Sequence, residues 1–209
     1  MLRAISLVIL SAASTVPDGG VPDASVPAAA VRVFDSRWSR VVTPKPGPPR
    51  AVGQPGAGCV EGAVALPLHG AGWLVVHPER HREFGLPVLV TYLRKLASRA
   101  GRDQLGPVGV GDLGQPRGGP LPSGHRSHQT GLDADIWYGA PAKHLATGRS
   151  VVSPIMVDLR SAKLLPSWNS RVARLIEIAA SDENVDRIFV HPAIKRALCA
   201  DKRRAGPWL

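Results

Sequence analysis

The chain has 209 residues, 44% of them apolar and 5% aromatic, with a formal net charge of +10 and a pI near 10.6. That is enough for one domain with a real core plus tails, and too apolar for a disordered chain. The basic residues are spread along the chain without a Lys/Arg block before the tail. No nucleic-acid-binding motif accompanies them and few aromatics are available to stack on bases. Composition therefore favours a basic surface for an anionic partner, such as the acidic polymers of a bacterial envelope, over nucleic acid.

Taken in order, Met1–Arg3 followed by the apolar run Ala4–Leu10 and small residues to Ala13 has the layout of a secretory signal, so residues 1–14 are expected to be a signal peptide. The run is about half the length a spanning helix needs, and no transmembrane segment is expected. Residues 15–57 are rich in Pro, Ala, Val and Gly and read as a linker or arm, with Val31–Phe34 and Trp38 able to add a short strand. The compact domain is expected from about residue 58.

Leu66–Gly70 and Gly72–Val76 read as strand and turn pieces. After Pro87 the period changes: Leu89, Leu93, Leu96, Ala97 and Ala100 share a helical face that Gly101 ends. Val108–Leu113 is a strand candidate, followed by a Gly- and Pro-rich loop over 114–124. A second helix is expected over Trp168–Ala180, with Val172, Leu175, Ile176 and Ala179 inward. A strand at Arg187–Val190 and a short helix opened by Pro192 follow. Helices and short strands mixed without regular βαβ spacing predict an α+β fold: a small, mostly antiparallel sheet with flanking helices and long loops. Cys59 and Cys199 form no C-x-x-C pair, leaving one long-range disulfide or two free thiols.

The stretch Pro122–Trp137 carries the chemistry. It brings His125, His128, Asp133 and Asp135 together, and the alternation Leu132-Asp-Ala-Asp-Ile136 sends both carboxylates to one face of a strand. Imidazole and carboxylate held together are zinc ligands, and a catalytic zinc needs three protein ligands and a water. On spacing alone H-x-x-H followed by D-x-D is equally a glycine-rich turn with structural histidines. It is not H-E-x-x-H, which carries its own base.

Ser123-Gly-His125-Arg-Ser-His128-Gln-Thr-Gly-Leu-Asp-Ala-Asp135-Ile-Trp137 resembles the signature of the penicillin-insensitive murein endopeptidases, a family of the LAS metallopeptidases with a hedgehog-like domain. Gly58-Cys59 before Leu66-Pro67, Arg80 to Phe84-Gly85, Val110-Gly-Asp-Leu113 and Val185–Cys199 resemble family segments in the same order. The resemblance implies a periplasmic Zn²⁺ endopeptidase that hydrolyses the D-alanyl–diaminopimelate cross-link between peptidoglycan stem peptides. It implies His128 and Asp135 as zinc ligands, and His125 as a cleft histidine able to reach an additional metal. Gln129 and Asp133 match cleft or supporting positions.

The resemblance also implies that the third ligand and the catalytic base come from an H-x-H segment near the end of the domain. The sequence reaches Leu209 before any such segment, so no catalytic base is identified in it and a C-terminally truncated domain is expected. His191 is a weak substitute, and His69, His77, His81 and His144 read as surface or loop residues. The family's cysteine pairing uses the same absent part. A catalytically inactive member that only binds peptidoglycan is the alternative expectation.

Overall fold

The computed structural model describes residues 5–10, 37–122, 127–138 and 154–201. Its strands are β1 (Ile5–Leu10), β2 (Arg50–Gln54), β3 (Ala57–Glu61), β4 (Val64–Ala65), β5 (His69–Gly70), β6 (Trp73–Val75), β7 (Phe84–Gly85), β8 (Val108–Val110), β9 (Asp133–Trp137), β10 (Val157–Asp158), β11 (Lys163–Leu164) and β12 (Val185–Phe189). The helices are α1 (Pro87–Arg102), α2 (Ser170–Ala180) and α3 (Pro192–Ala200).

The helices form where the apolar period requires them. In α1, Leu89, Leu93, Leu96, Ala97 and Ala100 are all buried, and Pro87 sits in the first turn, where its missing N–H costs nothing. The Asn169 side chain caps α2 by accepting from the N–H groups of Arg171 and Val172, while Val172, Leu175, Ile176 and Ala179 turn inward. Pro192 opens α3, whose N-cap is the ring of His191.

One six-stranded sheet organises the domain, in the order β12-β1-β9-β8-β6-β5. The α+β class holds. Most pairings are antiparallel, namely β2 with β3, β4 with β7, β5 with β6, β8 with β9 and β10 with β11. The main sheet itself is mixed, because β1 is parallel to both β9 and β12, and β6 is parallel to β8. The difference from the expected antiparallel sheet arises chiefly at β1. The apolar run Ile5–Leu10 has the composition of a strand buried on both faces as well as that of a leader, and periodicity does not separate the two. Here it is a central strand, with Ile5 and Leu7 fully buried.

The sheet has two unlike faces. Ile5, Leu7, Val75, Val108, Val110, Ala134, Ile136 and Val185 join residues of the three helices in one core. On β9 the opposite face carries Asp133, Asp135 and Trp137, all buried, so β9 is covered on both sides. Gly111 and Asp112 lie directly against Asp135 of β9, and the β2–β3 hairpin, which straddles residue 58 and begins within the expected arm, is tied to Gln129 just before that strand. Trp38, also in that arm, lies against Gly119 at a separation that excludes a side chain there. Residues 31–34 fall outside the described residues. Cys59 and Cys199 are free thiols. Among the described residues no helix is long and apolar enough to cross a membrane.

Candidate functional site

The His/Asp motif folds so that its two halves meet. A turn at Gly131 returns the chain after His128, and β9 then presents Asp135 beside the imidazole: His128 Nε2 lies 3.2 Å from Asp135 Oδ1. Both side chains are buried, at 1% and 5% exposure. On the other side of the ring, His128 Nδ1–H donates to the carbonyl of Leu113 at 3.1 Å. A carbonyl can only accept, so this bond fixes the proton on Nδ1 and turns Nε2 toward the carboxylate.

His128 has φ +66°, the left-handed region that a residue with a Cβ enters at a cost of roughly 1–2 kcal/mol. Its backbone N–H bonds the Asp133 carboxylate, and with the Leu113 bond this holds the strained turn. Burial lowers the imidazole pKa, but the hydrogen bond and charge of Asp135, with the charges of Asp133 and Asp112, outweigh it and leave the pKa raised. Metal-free, the pairing with Asp135 therefore favours the charged form of the imidazole, against its burial. For Asp133, burial is the largest influence and raises the pKa, against the opposing pull of His128. Its Oδ2 is buried without a hydrogen-bond partner.

Around this pair the support is dense. The Asp135 N–H donates to the Asp112 carbonyl at 3.0 Å, and the Gly111 N–H to the Asp135 carbonyl at 2.8 Å. A Cβ on Gly111 would stand 2.9 Å from that of Asp135, so only glycine allows the approach. Asp112 is itself buried and takes Arg82 Nη1 at 2.6 Å, with Arg80 Nη1 at 3.5 Å. Asp112 and Arg82 were visible in sequence only as parts of matching segments. An acid at the end of the apolar run Val108–Gly111, with arginines at i and i+2 elsewhere, was the signal that could have singled them out.

The other expected site residues separate. Gln129 turns away from the pair: its Oε1 accepts from Gly58 N–H at 3.2 Å and its Nε2 donates to the Gly56 carbonyl at 2.9 Å, pinning the β2–β3 turn. His125 and His144 lie outside the described residues. His191 Nδ1 accepts from Ala193 N–H at 3.1 Å and is occupied as a helix cap. His69 and His81 are exposed. His77 stacks edge-on against Trp137, at 5.3 Å between ring centres, and bonds Glu79.

The donor chemistry of His128 and Asp135 fits zinc: a ring nitrogen turned to the site by a carbonyl on the opposite nitrogen, next to a buried carboxylate. The donor count does not reach three. Among the described residues no group of three His, Cys, Asp or Glu side chains is placed to hold a metal ion.

Comparison with known proteins shows the family of the chain. The family model described as penicillin-insensitive murein endopeptidase matches residues 51–209. Among curated relatives, the penicillin-insensitive murein endopeptidase of Yersinia enterocolitica is 42% identical over 176 residues, covering 82% of this chain and 64% of the relative. The proteins of that name from Klebsiella pneumoniae and Escherichia coli O157:H7 are 37% and 38% identical over 186 residues, with 87% of this chain and 68% of each relative covered. The chain thus spans less than two thirds of the length of the Yersinia relative. With the family model matched over about three quarters of its residues and identities of this size, the chain belongs to the penicillin-insensitive murein endopeptidase family.

Proposed function

We propose that the protein is a zinc-dependent endopeptidase of peptidoglycan, acting in the periplasm on the D-alanyl–diaminopimelate cross-link between stem peptides. The observation that carries this reading is the buried His128–Asp135 pair, with its Nδ1–H bond to Leu113, in a chain of a family whose members are named murein endopeptidases. His128 and Asp135 would hold the zinc, and Asp133 stands beside them as an acceptor for the His128 backbone N–H. A bound zinc would supply a water acidified to a pKa of about 7 and a Lewis acid for the amide carbonyl.

The chain's own residues prepare that chemistry. The Leu113 carbonyl fixes the tautomer, Asp112 with Arg82 anchors the strand end that carries this carbonyl, and the cover over β9 keeps bulk water from the pair. To act as a ligand His128 must release its Nε2 proton. The described residues supply two donors; His125, expected as a cleft histidine able to reach an additional metal, lies outside them.

A second reading, a member that binds peptidoglycan without cutting it, is favoured by the two-donor count among the described residues. Zinc content per chain and muropeptide products from cross-linked sacculi separate the two. Stoichiometric zinc with release of monomers, both lost in His128→Ala, is expected for the enzyme. No zinc and no cleavage, with sacculi still bound, establishes the binder. Export is tested at the same time by fractionation and by the mass of the recovered N-terminus.

A further inference from the structure

The β12 edge of the site face is built unlike the rest of it. In parallel strands, residues in register lie on the same face of the sheet. Ser6 of β1 registers with Asp133 on one side and with Arg187 on the other. Val8 likewise registers with Asp135 and with Phe189. Arg187 and Phe189 therefore stand on the face that carries the candidate site, two strands from its carboxylates, or about 10 Å at the usual strand spacing.

A register shift between β1 and β12 sets this arrangement. Ile5 pairs with Val185 but Ser6 with Arg187, so Asp186 is an extra residue on β12. Without it, Asp186 and Ile188 would take the site face and Arg187 the helix face. The bulge also leaves both side chains in the open: Arg187 is 60% exposed and Phe189 52%. An exposed phenylalanine beside an exposed arginine is an amphipathic edge, apolar and cationic at once.

Arg187 Nε and Nη2 bond the neighbouring Asp186, and Nη1 has no partner among the described residues.

We infer that Arg187 and Phe189 form a substrate-binding edge of the site, in which the guanidinium receives a free carboxylate of a peptidoglycan stem peptide and the phenyl ring covers the adjoining aliphatic chain. This rests on the peptidoglycan reading and adds to it the residues that select an acidic over an amidated peptide. A planar guanidinium matches a carboxylate with paired N–H donors, which an amide cannot equal. Arg187 is a binding residue here and takes no part in bond breaking.

The test uses the full chain and two soluble cross-linked muropeptides, one with free stem-peptide carboxylates and one with them amidated, titrated calorimetrically. The parent is expected to prefer the carboxylate form by about three- to tenfold. Arg187→Gln should lose that preference and Arg187→Lys should keep part of it. Phe189→Ala should weaken both peptides alike. Both sites are solvent-facing, and an unchanged melting temperature will show that the three variants are folded. Equal affinity of parent and Arg187→Gln for both peptides overturns the inference while leaving the peptidoglycan reading in place. If the parent binds neither peptide, that reading and this inference fall together.

Discussion

The two strands that flank β9 differ in what they bring to Asp133 and Asp135. β8 lies inside the family-matched region, and the chain beyond it supplies Gly111, the Asp112 carbonyl and carboxylate, and the Leu113 carbonyl, each bonded to β9, to Arg82 or to the imidazole. β1 lies outside that region, and opposite Asp133 it offers only the Ser6 position. The one fully buried carboxylate oxygen on β9 without a hydrogen-bond partner among the described residues is Asp133 Oδ2. A buried carboxylate is tolerated where bonds surround it and costly where they do not. One flank is a finished support for a charged pair; the other completes the sheet without answering its charge.

Asp135→Ala breaks the finished side. It leaves the buried His128 ring without its carboxylate partner, and loss of one partner from a buried, hydrogen-bonded pair of this kind costs about 3–5 kcal/mol. Urea unfolding of the metal-free protein measures this, and a loss below roughly 1 kcal/mol would show that the pair is not buried as described. Leu7→Ala addresses the other side. With Leu7 fully enclosed, truncation is expected to cost about 2–4 kcal/mol. If the apolar N-terminus is instead removed on export, the secreted chain lacks it and the substitution leaves its stability unchanged. That outcome would make β9 and β12 neighbours of an open slot, which backbone hydrogen exchange on both strands would register.

Gln129→Ala tests whether the cover over the site depends on the motif itself. Loss of the bonds to Gly58 and Gly56 should cost about 1–3 kcal/mol. It should also loosen the β2–β3 turn, seen as faster exchange at Gly58. A full effect with the His128–Asp135 pair intact identifies Gln129 as a strut.

These residues also show how much the sequence carries. The helices were legible because Leu89, Leu93, Leu96 and Val172, Leu175, Ile176 repeat with the helical period and Pro87 and Pro192 mark starts. His128 and Asp135 were legible as a pair because alternation along β9 places both acids on one face. The role of Gln129 was not, since its partners, Gly56 and Gly58, are some seventy residues away and a glycine backbone leaves no side-chain signal. Ile5–Leu10 was ambiguous in principle: an apolar hexapeptide satisfies an export signal and a doubly buried strand with the same residues. The exposure of Arg187 and Phe189 on the site face depends on a one-residue bulge, which no period announces.

The smallest expected effect concerns the unanswered charge. His128 has a raised folded pKa, so its pairing contributes stability that is complete below the unfolded value and fades as pH climbs through the folded one. The fold also prefers Asp133 protonated, because burial raises its pKa, so stability falls as that carboxyl ionises above the unfolded value. Both signs agree: the metal-free protein should melt higher at about pH 5 than at about pH 8. Asp133→Asn keeps an oxygen for the His128 N–H while removing the charge, and should raise stability near neutral pH by about 1 kcal/mol, or roughly 2–4 °C in melting temperature. The pH slope should flatten but persist, since His128 still titrates against Asp135. A variant that melts lower than the parent at neutral pH would mean that the Asp133 charge is needed by its neighbours, His128 on one side and Arg187 on the other, and that the β1 flank is as complete electrostatically as the β8 flank.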